Sequence, residues 1–195
     1  MKPRHRFRRV VQKNWAALAA TVAPRRRGAA QPPASFIPDD FNIPAGLETP
    51  EFRLRMLTVN DVVKDFEAVV TSAEHLKLVF PGGTWPDGLT LEQDLIDLGW
   101  HQKEFQRRTS FAYTVVTPDE SRVLGCVYIY PCQKRGFEAV VYLWARQSEL
   151  AGGLEERLTD AVKRWIAEAW PFRGVAYPGR GISWEKYEKL PNKRR

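Results

Sequence analysis

Apolar positions along this chain of 195 residues recur with two different periods. Residues 52–57, Phe52-Arg-Leu-Arg-Met-Leu57, alternate apolar and basic over the first five positions, the period of a strand with one buried face. Asn60 or Asp61 is placed to cap a helix after it. There Val62, Val63, Phe66, Val69, Val70, Ala73 and Leu76 recur at three-four spacing on one stripe. Pro81-Gly82-Gly83 and Pro86-Asp87-Gly88 break the chain. Thr90 then heads a second helix, with Leu91, Leu95 and Leu98 on its apolar side and Glu92 near its positive end.

The period next shortens. Residues 111–117 are β-branched and aromatic, 118–121 form a turn, and 123–130 return as the second arm of a hairpin. Residues 137–145 are apolar nearly throughout, which predicts a strand buried on both faces and so central. Gly152-Gly153 opens the clearest helix, striped by Leu154, Leu158, Ala161, Val162, Trp165, Ile166 and Ala169. Glu155 and Glu156 lie in its first turn, where the dipole favours them. Pro171 ends it. A short strand at 174–177 and a helix at 184–190, capped by Ser183, complete the order.

A hairpin-rich centre followed by one β-α-β crossover predicts an α/β (α+β) fold. Its sheet is mixed but mainly antiparallel, with helices on both faces. Residues 1–50 lack periodicity and read as a tail and linker without a core of their own. The domain is expected over 51–190, with 191–195 a basic tail. No period of 20–50 residues repeats, which excludes a solenoid.

Charge sharpens this division. Of 30 basic residues nine lie in residues 1–27, which hold no acid; the remainder has 21 basic and 23 acidic residues. The net charge of +7 therefore belongs to the arm. A near-neutral domain argues against a broad nucleic-acid face and leaves only the arm as a phosphate binder. Cys126 and Cys132, six apart in one strand, are separated by roughly 20 Å, too far for a disulfide. Free thiols fit a reducing, cytoplasmic compartment. No run of about 18 apolar residues spans a membrane. Arg8-Arg9 followed by a short apolar stretch at 15–23 resembles a twin-arginine export signal, the alternative to a plain basic arm.

The opening Phe52-Arg-Leu-Arg, the hairpin with Leu124-Gly-Cys-Val-Tyr-Ile129, a central strand, a Gly-opened helix and Tyr187-Glu-Lys-Leu190 together resemble the acyl-CoA N-acyltransferase (GNAT) superfamily. That resemblance implies an N-acetyltransferase using acetyl-CoA as co-substrate, without a metal. Its acceptor would be an unknown small-molecule or peptide amine. A non-catalytic ligand-binding or interaction module of the same fold is the alternative. The resemblance also implies that acetyl-CoA lies along the central strand, at Tyr142, Leu143, Trp144 and Ala145, where that strand splays from the one at 175–177. The diphosphate would sit on bare amides entering the next helix, since a helix N-terminus has unpaired N–H groups and a positive dipole.

The family loop reads Arg/Gln-x-x-Gly-x-Gly/Ala. Its counterpart here is Ser148-Glu149-Leu150-Ala151-Gly152-Gly153, which makes Ala151, Gly152 and Gly153 the expected cofactor contacts. Ser148 stands in place of Arg or Gln, and Ala151 in place of Gly. Glu149 would oppose a diphosphate by about 3 kcal/mol at ~6 Å before screening. Otherwise Gly152-Gly153 is simply a strand-to-helix turn. Tyr187 matches the family's acid for the leaving thiolate; the other reading is packing. His75 and His101 read as ordinary surface or half-buried histidines. Pro178-Gly179-Arg180-Gly181 reads as a loose turn, with anion binding the alternative. The family's two further strands have no counterpart after Leu190. That predicts an open groove or a homodimer that covers the sheet edge.

Overall fold

The computed structural model describes residues 36–193. The basic arm, with its likeness to an export signal, lies outside the described residues. Six strands form one sheet in sequence order: β1 (Gly46–Glu48), β2 (Arg53–Met56), β3 (Phe111–Val116), β4 (Val123–Pro131), β5 (Ala139–Ala145) and β6 (Val175–Ala176). Every neighbouring pair is antiparallel except β5 and β6, which run parallel. Among the described residues five α-helices accompany them: α1 (Val62–Val70), α2 (Ala73–Val79), α3 (Leu91–Gln106), α4 (Leu154–Ala169) and α5 (Trp184–Lys189). The mixed, mainly antiparallel sheet expected from the sequence is the one observed.

β5 is buried at all seven positions because both of its faces carry helices. Side chains alternate across a strand. Val141, Leu143 and Ala145 therefore face α4, packing with Leu154, Leu158, Val162 and Ile166. Val140, Tyr142 and Trp144 face the other layer, where Ala68, Val69, Leu76 and Leu98 close the core. Thr90 caps α3 through a capping box with Gln93, as its position predicts.

Three expectations are corrected. The helix expected from residue 61 to 76 breaks after Val70 and restarts at Ala73. The break turns Val63 and Val70 outward while Leu76 stays buried. On α3 only Leu98 of the predicted leucines is buried; Leu91 and Leu95 lie at the surface. Finally, the domain reaches back into the supposed linker. Ile37 is fully buried, Phe36 stacks on Phe172 at 5.1 Å and on Phe111 at 5.9 Å, and Gly46–Glu48 adds an edge strand. Isolated aromatics between prolines carry no period, yet each buries a large apolar area.

Among the described residues, no helix is long and apolar enough to cross a membrane. Both cysteines are free and buried.

Candidate functional site

β5 and β6 are paired only at Ala139–Val175 and Val140–Ala176. Beyond Val140 the strands part, so the stretch from Val141 to Ala145 has no strand partner on that side. Two of the backbone groups along this gap are taken by side chains. Ala145 donates its N–H to Glu155 Oε2 at 3.3 Å. Leu143 accepts at its carbonyl from Arg180 Nη2 at 3.4 Å. Arg180 Nη1 also donates to Glu155 Oε1 at 2.8 Å, and His75 Nε2 lies 2.6 Å from Glu155 Oε2.

The elements meet there for local reasons. Glu155 is the second residue of α4. Arg180 sits on a turn closed by Gly179, Arg180 and Gly181 bonding back to Tyr177 and Ile182. His75 comes from α2 on the far side. Burial works to raise the Glu155 carboxyl, but hydrogen bonds from His75 and Arg180 outweigh it and hold it down at about 2. Glu155 is thus a buried carboxylate with partners on both oxygens.

The loop before α4 is also internally bonded. Gln147–Gly152 form a 3₁₀ turn, and Gly153 follows at φ 72°, a left-handed conformation that only glycine adopts without strain. Gln147 donates its N–H to Ser72 Oγ, Glu149 to the Arg146 carbonyl and Gly153 to the Leu150 carbonyl. Nearby cations are committed: Arg122 to Glu149 at 2.8 Å, Arg146 to Glu67, and Arg157 to Glu51 and the Gly152 carbonyl. Ala151, Gly152 and Gly153 therefore lie on a closed turn at the surface. Glu149, Glu155 and Glu156 stand around this corner, and carboxylates so placed oppose a diphosphate.

Tyr142 and Trp144 share the face opposite α4, whereas Leu143 and Ala145 face that helix; the four predicted β5 contacts thus divide between two layers. Trp144 is fully buried. Tyr187 is buried beside Tyr142, and its hydroxyl lies 3.5 Å from Cys132 Sγ. Burial, then the neighbouring Tyr142 and Cys132, push its phenol well upward. Trp184 stacks on Tyr142 at 5.8 Å with the rings nearly parallel.

A cavity of about 450 Å³ opens on the same face as Tyr142. Its floor is tyrosines of the sheet: Tyr128 and Tyr130 of β4 stack at 6.3 Å, with Tyr142 beside Tyr130 at 6.2 Å. Phe80 and Trp85 form one wall. Asp65 of α1 and Asp94, Asp97 and His101 of α3 form the other.

Burial, then Asp94 and Asp61, raise the Asp65 carboxyl well above the usual range. Burial and then Asp97 bring Asp94 to about 7, and burial alone brings Asp97 to about 6. His101, expected to be an ordinary histidine, is held neutral, since burial lowers it to about 4. His75 is likewise more than a surface histidine, because it belongs to the Glu155 cluster. The cavity acids were legible only as exceptions. Asp65 interrupts an apolar stripe, and Asp94, Asp97 and His101 recur at three-four spacing. Among the described residues, no group of three or more His, Cys, Asp or Glu could hold a metal ion.

No protein-family model matches the chain, and no curated protein does. Solved structures do. The chain superposes on a chain named "Probable acetyltransferase" with a TM-score of 0.54 at 14% identity, covering 72% of this chain and 78% of that one. A ribosomal-protein-S5-alanine acetyltransferase from Vibrio fischeri matches with a TM-score of 0.50 at 17% identity, over 64% and 68%. The microcin C7 self-immunity acetyltransferase MccE, solved with acetyl-CoA and AMP, matches with a TM-score of 0.50 at 14% identity, over 65% and 67%. The element order, the parallel β5–β6 pair and these superpositions together show the GNAT fold.

Proposed function

We propose that the chain is a GNAT-fold ligand-binding protein that uses the aromatic cavity above Tyr142, with its acyl-CoA corner closed by its own side chains. The observation that carries this reading is the Glu155 cluster. Glu155 and Arg180 occupy the backbone groups of Leu143 and Ala145 that a cofactor lying along β5 would need. A diphosphate arriving at α4 would meet carboxylates at Glu149, Glu155 and Glu156 and no uncommitted guanidinium among Arg122, Arg146 and Arg157.

The test is calorimetric titration of the full chain with coenzyme A and acetyl-CoA. The proposal expects no saturable heat at millimolar cofactor and no rise in melting temperature. Binding at ~100 times a dissociation constant would stabilise by about 2.7 kcal/mol, so absence is readable.

A second reading, acetyl transfer from acetyl-CoA to an amine, is favoured by a separate observation: β5 does leave β6 after Val140, and solved acetyltransferases share the fold. In that reading Tyr142, Leu143, Trp144 and Ala145 line the donor, Ala151, Gly152 and Gly153 border it, and Tyr187 stands near the thioester. Saturable acetyl-CoA binding together with thiol release in the presence of an amine would establish it and displace the first.

A further inference from the structure

We infer that the outer face of α3 is a dimer interface, packing antiparallel against α3 of a second copy of this chain about a two-fold axis at the level of Asp97 and Leu98. The inference goes beyond the ligand-binding reading and does not depend on it.

The first observation is where the apolar surface lies. Of the seven large hydrophobic side chains exposed among the described residues, four belong to α3: Leu91, Leu95, Ile96 and Trp100. Single exposed apolar residues are ordinary, but a contiguous patch on one helix marks a contact surface. Ile96 is 52% exposed and Trp100 37%. At 3.6 residues per turn Glu92, Ile96, Gly99 and Lys103 form the crest of the helix, with Leu95 on one side and Trp100 on the other. The buried Asp94 and Leu98 lie on the opposite side. The crest is also turned away from Asp94 and His101, so pairing there leaves the cavity wall as it is.

The second observation is Gly99. Glycine inside a helix is unfavourable, because it gives up the most backbone freedom and returns no side-chain contact. The packing within one chain does not require it here. A Cβ built on Gly99 meets Val59 Cγ1 at 3.8 Å, an ordinary contact. A glycine that one copy does not need, set between exposed Leu95, Ile96 and Trp100, is accounted for by a second helix that approaches closely over it.

The third observation is that the crest is complementary to itself. A two-fold axis makes every contact twice with the roles exchanged. In an antiparallel pair centred between Asp97 and Leu98, Ile96 lies over Gly99 of the partner subunit and Leu95 against Trp100 of the partner subunit. Glu92, near the start of α3, then meets Lys103 of the partner subunit, near its end. Both are exposed. Lys103 Nζ already stands 4.6 Å over the Trp100 ring, which draws the cation onto this face. Parallel pairing would set Glu92 against Glu92 and Lys103 against Lys103, so the charges select the antiparallel arrangement. A membrane surface is a poorer occupant. A helix lying on a membrane carries basic residues along its polar face, whereas α3 has Lys103 alone against Glu92, Asp94, Asp97 and Glu104. One helix pair with a central tryptophan gives an interface at the small end of the specific range, below about 1,200 Å² in total, so association in the micromolar range is expected.

The experiment is sedimentation equilibrium of the full chain from low-micromolar to submillimolar concentration. Expected is a monomer–dimer equilibrium, weakened about tenfold or more by Ile96→Glu and by Gly99→Leu. Gly99→Leu replaces a poor helix former, so its melting temperature at dilute concentration is expected to be no lower than that of the native chain. Glu92→Lys and Lys103→Glu are each expected to weaken self-association about threefold or more, and an equimolar mixture of the two variants to form a heterodimer tighter than either homodimer. A chain that stays monomeric throughout, a dimer unmoved by both Ile96→Glu and Gly99→Leu, or a mixture of the charge variants no tighter than its components would overturn the inference. So would a monomer that binds phosphatidylcholine vesicles through Ile96, which would give the face to a lipid surface.

Discussion

Glu155 Oε1 accepts a 2.8 Å hydrogen bond from Arg180 Nη1 across the gap that separates β5 from β6. The pair is well shielded, with side-chain exposures of 11% for Glu155 and 20% for Arg180. Its geometry matters more than its charge, because the same carboxylate also receives His75 and the Ala145 amide. Glu155→Ala removes the acceptor of three hydrogen bonds, orphans the Ala145 N–H and leaves Arg180 without its counter-ion. Breaking one side of a buried pair costs roughly 3–5 kcal/mol. Urea unfolding is expected to show a loss near the lower figure, because Arg180 can reach water. An unchanged midpoint would mean that the cluster is incidental.

The acids of the two sites pull stability in opposite directions with pH. The folded value of Glu155, about 2, lies below its ordinary 4.5. Its contribution is present above about pH 4.5 and is lost as pH falls toward 2. Asp94 and Asp97 have folded values of about 7 and 6 against an ordinary 3.8. There the folded chain holds protons that the unfolded chain releases, so stability declines as pH rises from about 4 through 7. Calorimetric scans of the ligand-free protein are expected to show the highest melting temperature near pH 4.5. A decline on the order of 2–4 kcal/mol should follow by neutral pH. Asp94→Asn should flatten that decline. A melting temperature that climbs between pH 5 and 7.5 would contradict the burial of these acids.

The fold was readable because its signals are local. The all-apolar run of β5, the stripe of α4 and the Thr90 capping box each depend on residues within one turn or one strand of each other. The site was not, because it depends on contacts that no period records. Glu155 reads from sequence as a favourable first-turn acid. Only the fold brings Arg180 and His75, 25 and 80 residues away, onto its two oxygens. Arg180 likewise reads as part of a loose glycine turn until β6 places that turn against β5. Gly152 and Gly153 form a strand-to-helix corner, as a glycine pair there predicts, but glycines say nothing about which side chains close it. Ile37 was missed for the same reason, since a single apolar residue between prolines has no pattern to join.

Tyr187 offers a test that separates packing from chemistry. Its ring lies edge-on to Trp184 at 6.4 Å, and its hydroxyl is held between Cys132 and Tyr142. Tyr187→Phe keeps the ring and deletes the hydroxyl, a loss of about 1 kcal/mol. Tyr187→Ala also empties the space and costs about 3–5 kcal/mol. Under the ligand-binding proposal Tyr187→Phe leaves the cavity unchanged, because Tyr187 is not among its lining residues. Should acetyl transfer be detected, the same variant is expected to lower kcat by one to two orders of magnitude with KM unchanged. Thermal melts of the two variants and steady-state kinetics of Tyr187→Phe check these expectations.

The sheet beneath the cavity rests on a close approach between β4 and β5 at Gly125, opposite Ala145. A Cβ built on Gly125 would sit 2.1 Å from the Trp144 carbonyl oxygen and 3.1 Å from the Ala145 Cα. Neither atom is the end of a flexible side chain; both belong to the backbone of the most buried strand. Gly125→Ala therefore cannot be absorbed by a rotamer change and must separate the two strands locally. Main-chain bonds near Gly125 would stretch, and Trp144, fully buried behind them, would shift. Overpacking of a tight core costs about 1–3 kcal/mol, and forced backbone movement in a central strand puts this change at the upper end. Tyr128 and Tyr142, opposite each other, stand three positions further along the same ladder, so the tyrosine floor should loosen with it. The expected result is a melting temperature several degrees lower. A Gly125→Ala chain that melts like the native protein would show that β4 and β5 do not pack at this distance.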